Sequence, residues 1–138
     1  MSDNSKTYFS FIATGVAYVN RVKQIFPQKG VDTFTPYWTV KLAVLVSERD
    51  EKVHYRYIDC TIPAEEAAKL ICLYSTEANN PKFKVLIGFR ISNLQAKTFT
   101  RKDSECASML KGRLIKVGWL KVDGRTVYSA EPVADPVQ

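Results

Sequence analysis

The chain has 138 residues, 46% of them hydrophobic and 25% charged, with 20 basic against 14 acidic side chains, net charge +6 and a pI near 9.3. That length suits one domain able to bury a core without disulfide staples, and no apolar run approaches the ~20 residues of a membrane span. The start, MSDNSKTYF, lacks the basic-then-apolar pattern of an export signal, and three widely spaced cysteines (Cys60, Cys72, Cys106) suit reduced thiols in a cytoplasm rather than a disulfide framework.

In chain order, residues 1–7 read as a loose polar start and residues 8–26 as a long first strand. Gly15 inside it predicts a bulge or sharp bend. Pro27, Gln28, Lys29 and Gly30 are turn chemistry, with the loop continuing to Pro36. Residues 37–47 form the clearest strand: Trp38, Val40, Leu42, Val44 and Val46 make one face, and Tyr37, Thr39, Lys41 and Ala43 the other. After the charged turn ERDEK comes a strand that runs straight into a helix, VHYRYIDCTIPAEEAAKLICLY. Ile58, Cys60 and Ile62 alternate inward against Tyr55, Tyr57, Asp59 and Thr61. Pro63 suits a first helical position, and Glu65 and Glu66 complement the positive end of the helix dipole. Ala67, Leu70, Ile71 and Tyr74 recur at helical spacing and predict one buried stripe, with Cys72 also on the core side. Asn79, Asn80 and Pro81 end the helix.

Residues 84–92 follow as a strand with Val85, Ile87, Phe89 and Ile91 inward and Leu86, Gly88 and Arg90 outward. Residues 94–102 continue extended, with Lys97, Phe99 and Arg101 on one side; residues 103–108 read as a loop. Residues 111–121 form the last long strand, on which Trp119 alternates with Val117 and is expected in the core, as is Trp38. Asp123-Gly124 is a two-residue hairpin turn into Val127 and Tyr128, and residues 129–138 read as a disordered tail. The expected fold is all-β with one helix: residues 8–128 as a single five-stranded OB-fold barrel, β-β-β-α-β-β, with an extra C-terminal hairpin. Another small barrel or a mixed α+β sheet are the alternatives.

Chemistry-bearing motifs are scarce. His54 is the only histidine and has no serine or cysteine at partner spacing. No CxxC, HxH or HExxH marks a metal site, and no glycine-rich phosphate loop is present, so neither an enzyme nor a cofactor is expected. Charge is placed unevenly. Residues 82–121 hold ten basic and two acidic side chains, a balance of +8, which leaves about −2 for the remainder. Aromatic residues interleave with basic ones, the composition that stacks bases while tracking phosphates. The candidate nucleic-acid-binding residues are Phe34, Tyr37 and Lys41; Tyr55, Arg56 and Tyr57; and Arg90, Lys97, Phe99, Arg101, Lys102, Lys111 and Arg113.

With TGVAYVNRVKQI, YRYIDCTIPAEEAAKL, KVLIGFRI and LKGRLIKVGWLKVDG in view, the chain resembles a bacterial family. It is similar to small proteins of integrative and conjugative elements described as element replication proteins and otherwise of unknown function, over residues 7–128. More distantly, the Tyr55-Arg56 strand, the helix and KVLIGFRI are similar in layout to bacterial single-stranded-DNA-binding proteins. That second resemblance implies an OB fold, homo-oligomers (dimer or tetramer) and rings stacking bases on outer strand faces. It does not extend to the tail, where AEPVADPVQ carries Glu131 and Asp135 but no ring. The expected function is non-catalytic binding of single-stranded DNA in the bacterial cytoplasm during replication or transfer of a mobile element, with replication or conjugation proteins as further partners and no membrane. The alternatives are an OB-like interaction or regulatory module without strong nucleic-acid binding, and binding of RNA or duplex.

Overall fold

The computed structural model describes residues 11–26, 36–49 and 51–130. Their elements are β1 (Ile12–Ile25), β2 (Tyr37–Val46), β3 (His54–Ile62), α1 (Glu65–Leu73), α2 (Ser75–Ala78), β4 (Val85–Thr100), β5 (Cys106–Val122) and β6 (Arg125–Ser129). The expected turn at residues 27–30, Phe34, the polar start and the tail from Glu131 onward lie outside the described residues.

The strands hydrogen-bond in the order β3-β2-β1-β4-β5-β6, and β3 also pairs with β5. That last contact closes the sheet. It is parallel and sets Ile58 beside Leu110 and Thr61 beside Arg113, whereas every other strand pair is antiparallel. Five strands closed in this way, with the helix between the third and fourth, make an OB fold, and β6 is the additional hairpin strand. Closure removes two exposed edges and encloses the inward residues.

The predicted inward faces hold except at the end of β2, where Val46 is exposed. Val40 and Leu42, Ile58, Cys60 and Ile62, and Val85, Ile87, Phe89 and Ile91 are all buried, and Trp38 packs half-buried against them. At the centre, Ala17, Ile87 and Leu120 face one another across β1, β4 and β5, each 0% exposed. From α1 and α2 come Ala67, Ile71 and Ala78, with Leu70 and Tyr74 partly buried beside them.

Several expectations are corrected. The bulge in β1 falls between Asn20 and Lys23, where Arg21 has φ 51°, rather than at Gly15. Gly15 instead makes room for Phe89, since a Cβ there would lie 3.1 Å from the ring. The bulge is held by Asn79: its Nδ2 donates to the Val22 carbonyl at 2.9 Å and its Oδ1 accepts the Val22 N–H at 2.8 Å. Asn79 also ends α2, but with right-handed φ −88° rather than a left-handed cap. The helix begins two residues later than expected, with Ala64 as N-cap and Pro63 before it. Glu65 and Glu66 do occupy the first turn. Cys72 is exposed, one position past the buried Ile71. Ser129, read as tail, completes β6 opposite Trp119.

The largest corrections concern β4 and β5. Residues 106–108, expected in a loop, pair with Thr98 to Thr100, so β4 and β5 extend together as one long hairpin arm. Trp119 is not core. Opposite β4, Gly88 pairs with Trp119 but Phe89 with Val117, and Arg90 pairs with Lys116 but Ile91 with Leu114. Gly118 and Ile115 are thus extra residues that shift the pleat, and the buried positions become Leu114, Val117 and Leu120. Trp119 is turned to the outer face. The Asp123-Gly124 turn forms as expected, with φ 50° and 85°.

Cys60 is the one buried cysteine, and its thiol is pushed up to about 12, first by burial and then by the Asp59 charge. Iodoacetamide at pH 8 is expected to label Cys72 and Cys106 in the native protein and Cys60 only after unfolding. Labelling of Cys60 at an equal rate would show that this part of the core opens readily. Because the unfolded thiol ionises near 9 and the folded one near 12, the folded state holds the extra proton between them. Cys60 therefore lowers stability progressively as pH rises through that window.

Candidate functional site

Directly paired strand residues point to the same side of a sheet, so the pairings place the outward side chains in rows. The first row is Tyr18, Ala43 and Tyr57 across β1, β2 and β3. The next is Asn20, Lys41, Asp59 and Lys111, which continues onto β5 through the parallel closure. The third is Lys23, Thr39, Thr61 and Arg113. Tyr55, opposite Leu45, extends the aromatic end of this face. The Tyr18 and Tyr55 rings stand 6.3 Å apart, tilted by 44°. Tyr55 is 43% and Tyr57 56% exposed. Both rings are thus open to solvent over a substantial part of their surface.

Above the aromatic end lies an open groove of about 980 Å³, walled by Tyr18, Lys41, Tyr55 and Tyr57 on the sheet and by Phe83 and Lys84 from the segment after α2. The Lys84 ammonium sits 5.6 Å from the Tyr18 ring centroid. Its backbone N–H donates to Asp123 Oδ1 at 2.9 Å and its carbonyl accepts the Asp123 N–H at 2.9 Å, which ties this wall to the β5–β6 turn. Lys41 Nζ lies 3.7 Å from Asp59 Oδ1, each side chain about one-third exposed. Such a pair contributes at most ~1 kcal/mol, so Lys41 remains available to an incoming anion.

The hairpin arm carries the same face outward. Along β5, Met109 and Ala107 share the side of Lys111, and their β4 partners are Lys97 and Phe99. Lys97 and Phe99 thus lie on the side of the sheet that bears Lys41 and Tyr57. Phe99 is 44% exposed. Arg101 and Lys102 sit at the arm's tip, where the Arg101 N–H donates to the Glu105 carbonyl at 2.8 Å. Of the sequence-derived candidates, the structure brings Lys41, Tyr55, Tyr57, Lys97, Phe99, Lys111 and Arg113 onto one continuous face. Tyr37 lies on the same side, farther along β2 and opposite Ile25. Two candidates fall elsewhere. Arg56 points to the other side of β3, its Nη1 donating to the Tyr55 carbonyl at 3.3 Å. Arg90 lies opposite Thr14 and Lys116 on a different outward face. Tyr18 and Lys84 were missed; Tyr18 alternates between the buried Ala17 and Val19, and that parity was the available signal.

The face thus has flat rings at one end, cations along its rows and one carboxylate, Asp59, within them. A family model described as "Protein of unknown function (DUF3577)" matches residues 2–135. The chain belongs to that family. No curated protein matches it in sequence. Among solved structures, this family member is similar to the mitochondrial single-stranded-DNA-binding protein Rim1 of S. cerevisiae, with a TM-score of 0.48 and 10% identity, over 86% of this chain and 99% of that one. Among the described residues, no helix is long and apolar enough to cross a membrane.

Proposed function

We propose that this chain is a non-catalytic protein that binds single-stranded DNA during replication or transfer of a bacterial mobile element, as an oligomer of such barrels in the cytoplasm. The observation that supports the DNA reading is the outer face of β1, β2, β3 and β5, where Tyr18, Tyr55 and Tyr57 adjoin rows holding Lys23, Lys41, Lys111 and Arg113. Exposed rings accept any base by stacking, and cations beside them neutralise the phosphates between stacked bases. A closed duplex hides its base faces, so rings in this position favour a single strand. The mobile-element setting rests on the resemblance carried by KVLIGFRI and LKGRL.

The test is titration of fluorescein-labelled oligo(dT) with the full chain at low and physiological salt, with duplex DNA as competitor. Binding that persists in excess duplex supports the reading. Absence of binding, or equal displacement by duplex, overturns it in favour of an interaction module with a generic basic surface.

Asp59 is the one acidic residue in the three rows. Asp59→Asn removes a like charge from the path of the phosphates and releases Lys41. Affinity for oligo(dT) is expected to rise roughly threefold or more at low salt, with the gain shrinking as salt screens it. Unchanged or weaker binding at low salt would take the DNA off this face.

A further inference from the structure

On the other side of β1 the sheet carries a second outward face. Its rows are Thr14, Arg90 and Lys116, then Gly88 with Trp119, then Tyr18, Leu86 and Lys121. The bulges at Ile115 and Gly118 are what put Lys116 and Trp119 here rather than inside. The indole lies so closely over the β4 backbone that a Cβ on Gly88 would be 2.4 Å from its Nε1. Only glycine at that position leaves room for the ring. Lys121 Nζ stands 5.3 Å from the Trp119 ring centroid. Arg90, Lys116 and Lys84 are exposed and Lys121 half-exposed, and these three rows contain no acidic residue. Trp119 itself is half-buried and takes no part in the core cluster.

We infer that the Trp119 face is a second stacking platform for the same DNA strand, which leaves the Tyr55 and Tyr57 groove over Tyr18 and continues onto Trp119. This rests on the single-strand reading above. Tyr18 is the link, because it belongs to the first row of the groove and to the last row of this face. Lys84, over the Tyr18 ring, and Lys121, over the Trp119 ring, stand at the crossing and would meet the phosphates on either side of it. A base arriving at Trp119 replaces the Lys121 ammonium over the ring and leaves that charge at the edge for the backbone. The observations favour a nucleic acid over a second copy of the chain. A two-fold contact through this face would set Arg90, Lys116 and Lys121 against the same three cations, a repulsive arrangement.

Affinity is measured with two oligo(dT) probes, one of roughly 5 and one of roughly 20 nucleotides, which fall near the bottom of and beyond the ~4–16 nucleotides a single OB fold covers. Trp119→Ala is expected to weaken the long probe about tenfold or more and to leave the short one unchanged. Because removing the indole could disturb the sheet, the paired variant Lys116→Gln with Lys121→Gln keeps the ring. It is expected to lower the salt slope for the long probe by roughly 1.4, about 0.7 for each single-strand phosphate contact, with no change for the short probe. Sedimentation of each variant accompanies both titrations. Equal losses on the two probes, or none on either, overturn the inference while leaving the groove in place. A lower assembly mass with DNA binding unchanged identifies the face as a subunit contact and also overturns it. If the unaltered chain binds neither probe, the single-strand reading itself fails and this inference with it.

Discussion

Replacing both Tyr55 and Tyr57 by alanine is expected to weaken binding to oligo(dT) at least about thirtyfold while leaving the fold unchanged. Each base stack lost costs about 1–3 kcal/mol, and the sum of two at the low end already gives that factor. The fold is spared because neither ring is in the core; the hydrophobic side chains of β3 that hold the barrel together are Ile58, Cys60 and Ile62. The check pairs fluorescence titration with a thermal melt. Affinity unchanged in a variant that melts at the original temperature would show that these rings do not stack bases. A lowered melting temperature would instead identify them as structural, since the Tyr18 and Tyr55 rings also lie near one another. Tyr55→Phe with Tyr57→Phe keeps the ring faces and is expected to retain most of the affinity.

The largest effect on stability is expected from Leu120→Ala. Leu120 is fully buried opposite Ile87, which in turn faces Ala17, so the three meet where β1, β4 and β5 pack. A leucine-to-alanine change in such a place costs about 2–5 kcal/mol, because the cavity it leaves cannot collapse onto a paired sheet. That is a large share of the ~5–15 kcal/mol that holds a domain folded, and the melting temperature should fall by roughly 10–20 °C. Val127→Ala, on the exposed side of β6, should shift it little. Equal shifts for the two would mean that the centre of the barrel is not where these pairings put it.

Much of the barrel was legible in the sequence, and the reason is local. Where a strand is regular, side chains alternate strictly, and Ile58, Cys60 and Ile62 or Val85, Ile87, Phe89 and Ile91 announce their inward face. The position of the one helical stretch between the third and fourth strands then narrowed the topology to an OB arrangement. Asp123-Gly124 named its own turn, since that pair accepts the positive φ values found there. The aromatic side of β3 followed from the same alternation.

What the sequence could not display is whatever depends on residues distant in the chain. Alternation fails silently at a bulge: nothing in LIKVGWLKV states that Ile115 and Gly118 are extra, so Trp119 reads as core until β4 is laid beside it. The polar run DSECAS reads as a loop from its composition, yet its last residues pair with Thr98 to Thr100, because the partner strand supplies their hydrogen bonds. The bulge at Arg21 is held by Asn79, 57 residues away from Val22. The site itself is the clearest case. Alternation showed that Tyr57, Lys41 and Lys111 each lie on an outward or basic strand, but only the parallel closure of β3 on β5 sets Lys111 beside Asp59 and makes their strands one face. Local sequence determined which side of each regular stretch of strand is apolar, because that depends on neighbours two residues apart. Tertiary structure alone decided which polar sides meet, because that depends on register between strands, and register is set by closure and bulges.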